Sequence, residues 1–233
     1  MISLLEELYN LTNEEKIITL SRFFKTAKGE YGYGDKFLGI TVPIQRNLVK
    51  KYYQDISLEE IDALLHNEYH EVRLSSLLLL TYKMKNAHLE EQEKIVNLYL
   101  KNTKYINNWD LVDLSASYIL GAYLYENNLD RTILYDLANS HDLWEQRIAI
   151  VSTHYFIKNN QFEDTLNISK ILLQSKHDLI QKAVGWMLRE VGKRNYAVLY
   201  NFLLEHYKQM PRTMLRYAIE RFDSQTREMF LKS

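Results

Sequence analysis

The chain has 233 residues, 46% hydrophobic and 25% charged, with a formal net charge of −1; that is long and apolar enough to bury a substantial core and excludes wholesale disorder. Cysteine is absent, which removes disulfides, thiolate metal sites and cysteine nucleophiles from consideration. No apolar run approaches the roughly 20 residues of a membrane span, and residues 1–10 carry acids in place of a leader's apolar stretch, so a soluble, cytoplasmic protein is expected.

Two prolines and seven glycines are few breakers for this length, and they favour long helices over strands and turns. Thr12-Asn13-Glu14-Glu15 reads as a capping box with Thr12 as the cap, ahead of Ile17, Ile18, Leu20, Phe23 and Phe24 at helical spacing. Residues 29–36 hold three of the seven glycines but lack the Gly-Lys-Ser/Thr of a phosphate loop. They read as a tight interhelical loop, with Lys36 a candidate phosphate contact. Thr41-Val42-Pro43 opens a helix with proline in its first turn, and Ser57-Leu58-Glu59-Glu60 opens another. His66 and His70 are four apart, but Asn67 stands where a zinc protease carries its glutamate. The segment reads as a turn, with no metal expected.

An internal repeat organises the rest. Ser140-His141-Asp142-Leu143-Trp144-Glu145-Gln146-Arg147-Ile148-Ala149 aligns with Ser175-Lys176-His177-Asp178-Leu179-Ile180-Gln181-Lys182-Ala183-Val184. The same frame places Arg73, Asp110, Arg147, Lys182 and Arg216 at one recurring position, 37, 37, 35 and 34 residues apart, each leading into an apolar helical run. An all-helical period of that length predicts an α-solenoid of the HEAT or armadillo kind. The expected fold class is therefore all-α, one domain over residues 1–233, curved with a concave groove. Equivalent positions of successive repeats fall in a row, and four of these five are basic, which suits a phosphate backbone. The alternative is a ladder of ion pairs between repeats. Charge leans the same way, since residues 176–222 hold nine Lys/Arg against four acids.

Asn107-Asn108-Trp109-Asp110-Leu111-Val112-Asp113 puts Trp109 and Asp113 on one helix face. That pairing suits a cleft for a cationic, aromatic or sugar-like ligand; an interrepeat ion pair beside a core tryptophan is the competing reading. Lys182, Trp186, Arg189 and Lys193 form a second aromatic–basic stripe, and Trp144 with Arg147 a third pair. Such interleaving is the composition of a nucleic-acid groove, although tryptophans also fill helix–helix cores. Gly185, before Trp186, allows close backbone approach to a neighbour or a ligand.

These segments, with Lys182-Ala183-Val184-Gly185-Trp186-Met187-Leu188-Arg189-Glu190, Asp35-Lys36-Phe37-Leu38-Gly39-Ile40, Val42-Pro43, Arg46 and His70-Glu71-Val72-Arg73, resemble the AlkD family of DNA alkylation repair glycosylases. The resemblance runs from about residue 20 to 222. It implies stacked HEAT-like repeats and excision of purines alkylated at N3 or N7 from duplex DNA, without a cofactor or metal; a monomer is expected. It further implies that the lesion is recognised without an enclosed base pocket. Carried over by position, Asp113 would be the catalytic carboxylate, with Trp109 and Trp186 flanking the deoxyribose and Arg147 on the backbone nearby. Lys182, Arg189 and Lys193 would be further phosphate contacts by helix spacing. Asn108 stands where the best-known members carry an aromatic. Two other readings compete: a catalytically silent binder of bent or branched DNA, and a protein-interaction scaffold of the same repeats.

Overall fold

Polar caps and buried stripes account for most of the elements of the computed structural model, which describes residues 3–232. The chain is all-α; among the described residues the one β-type pairing is an isolated bridge between Lys36 and Tyr69. It divides into two compact units, Met1–Ser115 and Ala116–Ser233. No helix among the described residues is long and apolar enough to cross a membrane.

The first unit comprises α1 (Leu4–Asn10), α2 (Glu14–Phe23), α3 (Val42–Tyr52), α4 (Leu58–Leu65), α5 (His70–Met84), α6 (Leu89–Lys101) and α7 (Trp109–Asp113). Ser57 and Glu60 make the expected reciprocal capping box at α4, and Pro43 sits in the first turn of α3. At α2 the expected cap is displaced by one residue. Asn13 Oδ1 accepts from the Lys16 amide at 3.0 Å, while Thr12 turns its hydroxyl back to the Tyr9 carbonyl at 2.7 Å. Asn13 reaches the N3 amide from the cap position, and the preceding helix end claims the threonine.

The centre of this unit is α5, buried on every side from His70 to Leu80. A helix apolar or satisfied all round belongs in the middle of a core, and α3, α4, α6 and α7 all pack on it. Its first turn carries His70, Glu71 and Arg73, all buried. Placing these groups inside is tolerable only because each is bonded. The Glu71 carboxylate takes the backbone amides of Leu38, Gly39 and Ile40 at 2.9, 2.8 and 3.2 Å. Gly39 makes that cradle possible, because its φ is +81° and a Cβ there would fall 2.2 Å from the Asn13 carbonyl oxygen.

The second unit begins with a π-helical turn, Ser117–Gly121, and continues through α8 (Ala122–Glu126), α9 (Thr132–Ala138), α10 (Leu143–Ser152), α11 (His154–Lys158), α12 (Glu163–Ile171), α13 (Asp178–Arg194), α14 (Tyr196–His206), α15 (Arg212–Ala218) and α16 (Ser224–Lys232). The repeat frame is visible in its packing, for α10 lies on α13 and α13 on α15. Each of those helices carries one member of the recurring position. Gly185 lets α13 close onto α15: an added Cβ would sit 2.5 Å from both the Met214 carbonyl oxygen and the Tyr217 Cβ. Gly185→Ala is therefore expected to destabilise the protein by about 1–3 kcal/mol through overpacking, despite alanine's better helix propensity. A urea midpoint equal to or above wild type would contradict that close approach.

The row itself is less of a charged groove than its composition suggests. Arg73, Asp110 and Arg147 are buried, and each is spent on an inter-element tie. Arg147, 5% exposed, donates to the Leu179 carbonyl at 2.5 Å. At Arg73 and Asp110 the ladder alternative holds, because a buried charge is retained only where fixed partners repay its desolvation.

Candidate active site and nucleic-acid interface

The site in the first unit is built on the single turn of α7. Asn108 Oδ1 accepts the Trp109 amide at 2.8 Å and starts the helix, whose 3.6-residue period then sets Trp109 and Asp113 on one side. Both line a cavity of about 440 Å³ whose walls also include Leu20, Phe23, Phe24 and Phe37. The Trp109 ring lies 5.4 Å from Phe24 at an interplanar angle of 27°, and 5.8 Å from Phe23 at 70°. Phe24 in turn stacks on Phe37 at 5.2 Å and 14°. These are the offset and edge-on geometries that ring quadrupoles favour.

Behind the aromatic wall stands a buried charge network that holds α7 in place. His70 Nε2 bonds Asp110 Oδ2 at 2.8 Å, and Nδ1 approaches Asp35 Oδ2 at 3.4 Å. Burial opposes a charge on this imidazole, yet the Asp110 charge and the bonds to both carboxylates outweigh it and raise its pKa to about 9. Burial likewise works against the Asp35 carboxylate, but the His70 bond and the Arg73 charge hold it below the usual range. Arg73 closes the network, donating to Asp35 Oδ1 at 2.7 Å and to the carbonyls of Asn67 and Glu68. Asn108 joins it through Nδ2, 3.2 Å from Asp35. The polar residue at 108 is thus both the cap of α7 and its link to the network.

Asp113, half-buried, faces the cavity at the end of this turn. Its charge, together with burial as the larger cause, pushes the interior Tyr99 phenol above its ordinary range. A carboxylate so close to the apolar interior acts through a lower effective dielectric than water, which strengthens its pull on a developing cation.

Lys36 lies at a different place in the same unit. It pairs with Glu68 at 2.6 Å and lines a second, polar cavity of about 320 Å³ with Tyr33, Asp35, His66 and Arg73. His66 bonds Asn102 at 2.8 Å, so the two histidines singled out by spacing serve separate partners. His70 is the first residue of α5, inside the core, and not part of a turn. Its identity as an anchor is not legible in the sequence, because its partners Asp35 and Asp110 lie 35 and 40 residues away.

In the second unit Trp186 is half-buried, its ring 5.8 Å from that of His154. Burial, and then the charges of Lys158, Lys193 and Arg194, lower the His154 pKa to about 4 against the opposing Glu190. Lys158 also lies over the Tyr118 ring at 5.0 Å, so the aromatic–basic face includes His154, Lys158 and Tyr118, none of which stood out by spacing. Lys182 pairs with Asp178 at 2.5 Å, Lys193 with Glu190 at 2.7 Å, and Arg189 with Glu220. Surface pairs of this kind are worth about 0–1 kcal/mol and exchange readily for another anion. Trp144 departs from expectation, being 8% exposed and part of the core.

The profile of the family described as DNA alkylation repair enzyme matches residues 4–222. Among solved structures, the chain is similar to a protein described as a predicted DNA alkylation repair enzyme from Enterococcus faecalis, with a TM-score of 0.72 at 18% identity over 91% of this chain and 97% of that one. It is also similar to AlkD2 from Streptococcus mutans, with a TM-score of 0.57 at 16% identity over 91% and 99%. A third likeness is to smu.31 of Streptococcus mutans UA159, with a TM-score of 0.54 at 15% identity over 90% and 98%. At these identities the structural likenesses establish the all-α fold and nothing finer. No curated protein sequence matches the chain significantly.

Proposed function

The chain belongs to the DNA alkylation repair enzyme family, and from that membership we propose that it is a glycosylase hydrolysing the bond between deoxyribose and a cationic 3-alkyladenine or 7-alkylguanine in duplex DNA. The observation that carries this reading is the pairing of the Asp113 carboxylate with the Trp109 indole on one cavity wall, held there by α7 and its buried anchors. The chemistry asks little more. Alkylation at N3 or N7 places a positive charge on the purine, so the C1′–N bond breaks with its electron pair returning to the ring and neutralising it. The sugar left behind carries oxocarbenium character. A fixed carboxylate opposes that charge, and indole faces attract it through their quadrupoles. Water then bonds to C1′, and its proton passes to Asp113 or to solvent. The products are a neutral base and an abasic site.

In the second unit Trp186 and the cations around it would meet the DNA, with Lys182, Arg189 and Lys193 exchanging their acidic partners for phosphates. For Arg147, which is buried, a backbone contact rests on the family resemblance. Lys193→Ala is expected to make the fall of log affinity with log salt shallower by about 0.9, the yield of one phosphate contact. An unchanged slope would remove Lys193 from the interface. The reading as a whole is tested by release of 7-methylguanine from methylated duplex DNA, with the abasic product scored. If both 7-methylguanine and 3-methyladenine stay in DNA that the protein binds, the chain is a silent binder.

A further inference from the structure

The second unit carries a histidine that base release does not use. His154 is the first residue of α11, half-buried, with the Trp186 ring 5.8 Å away at 50°. His66 and His70 spend ring nitrogens on fixed side-chain partners. His154 does not: neither of its ring nitrogens has a hydrogen-bond partner among the described residues, and neither is sealed from solvent. One turn along the same helix face stands Lys158, exposed, its ammonium 5.0 Å over the Tyr118 ring. Tyr118 is itself exposed, on the π-helical turn. Lys182, Arg189 and Lys193 are each matched by a carboxylate, whereas Lys158 rests on a ring and has no carboxylate partner among the described residues. A ring quadrupole orients an ammonium without neutralising it, so an anion can join Lys158 with no acid to displace.

The surroundings of His154 decide its charge. α11 packs on α13, the π-helical turn, α10 and α8. From α13 come Lys193 and Arg194, opposed by Glu190, which already holds the Lys193 ammonium at 2.7 and 2.9 Å. The π-helical turn contributes Tyr118. On α8, Glu126 is taken by Tyr155; on α10, Arg147 is committed to the Leu179 carbonyl and Glu145 to the Ser140 hydroxyl. Burial first, and then the charge of Lys158, keeps the imidazole neutral near pH 7, with its pKa at about 4. The face lacks an anion. An indole that meets nucleic acid covers a sugar or a base, and every internal deoxyribose carries phosphate on both sides, so a phosphate comes to lie beside Trp186 wherever that ring touches the backbone. We propose that His154 and Lys158 hold a DNA phosphate beside Trp186, and that His154 takes up a proton as the duplex binds. A phosphate charge at contact distance favours the imidazolium, raising its pKa by about 1–3, and offers the ring N–H a charge-assisted acceptor. The site rests on the reading that this chain binds DNA, and not on base release.

The test is fluorescence anisotropy of a labelled, undamaged duplex with the intact protein at about pH 7.5 and about pH 5.5, at constant ionic strength. Wild-type affinity is expected to rise about fivefold toward the acidic end, because the bound state holds a proton that the free protein lacks. His154→Gln keeps an N–H donor but cannot gain a charge, and should hold that rise below about twofold. Calorimetry in buffers of different ionisation enthalpy, at the acidic end, should show proton uptake on binding by wild type and almost none by the variant. Lys158→Ala should make the fall of log affinity with log salt shallower by about 0.9, as one lost phosphate contact does. Circular dichroism at both pH values shows that each variant is folded. Equal pH dependence in wild type and His154→Gln, absence of proton uptake, or an unchanged salt slope in Lys158→Ala overturns the proposal. A wild type that binds no duplex at either pH ends the DNA reading together with this site, whereas proton-linked binding without release of bases ends the glycosylase reading alone.

Discussion

Asp113→Asn is expected to slow release of 7-methylguanine from methylated duplex DNA by about a hundredfold or more, with duplex affinity changed by less than about twofold. The magnitude follows from removing a fixed charge aimed at a transition-state cation in a partly dehydrated cavity. Asparagine keeps the shape of the side chain, so the wall of Trp109, Phe24 and Phe37 stays as it is. The carboxylate also contributes little to binding, because the DNA it meets is an anion. Equal release by variant and wild type would leave Trp109 and the cavity without a catalytic carboxylate and would end the mechanism proposed above. Loss of affinity in parallel with loss of release would instead place Asp113 in the binding surface.

The second large effect is on stability and its dependence on pH. His70→Ala removes the cation from between Asp110 and Asp35 and leaves two carboxylates inside the protein. Breaking a buried pair in this way costs about 3–5 kcal/mol, which is a large fraction of the stability of an ordinary domain. The wild type carries a pH signature of the same group. The folded-state pKa of His70 is raised from 6.5 to about 9, so the folded protein holds its proton more tightly than the unfolded chain does. The resulting stabilisation, on the order of 3 kcal/mol, is fully present below pH 6.5 and is lost as pH rises through 9. Urea unfolding of wild type at the two ends of that window should show the loss, and His70→Gln, which cannot titrate, should flatten it. Identical pH dependence in wild type and His70→Gln would mean that the imidazole is not protonated in the fold.

Release and stability test different sides of one arrangement. Asp113 would act on the substrate, whereas His70 acts on Asp110 and through it on the position of α7. A partial loosening at His70 is therefore expected to lower release in proportion to lost geometry while leaving the chemistry of Asp113 intact. The same division separates the buried cations Arg73 and Arg147, which organise helices, from surface cations such as Lys193, whose acidic partner can be exchanged.

What could be read without coordinates is governed by distance along the chain. Helical class, the capping at Ser57, the proline at α3 and the repeat frame depend on residues within a turn or within one period, and a linear sequence displays those directly. The partnership of Trp109 with Asp113 is of the same kind, because four residues on a helix make one face. The structure places both on one cavity wall. Misreadings arise where the competing partner is remote. Thr12 lost its capping role to the end of the preceding helix. The row of charges looked like a groove because nothing local reveals that Asp35 waits for Arg73, 38 residues on, or the Leu179 carbonyl for Arg147, 32 residues back. Trp144 and Trp186 each precede an arginine by three residues, yet packing buries the first and leaves the second half-buried beside His154.

By itself, then, the sequence determined the all-α class, the repeat period and the Trp109–Asp113 face, since each depends on a helical period acting over neighbouring residues. Tertiary structure alone decided which charges are buried, how His70 keeps its proton, and that Phe23, Phe24, Phe37 and Trp109 enclose one cavity. Those outcomes depend on desolvation and on partners tens of residues apart, and a charge or an aromatic ring acquires its role only when the fold settles what surrounds it.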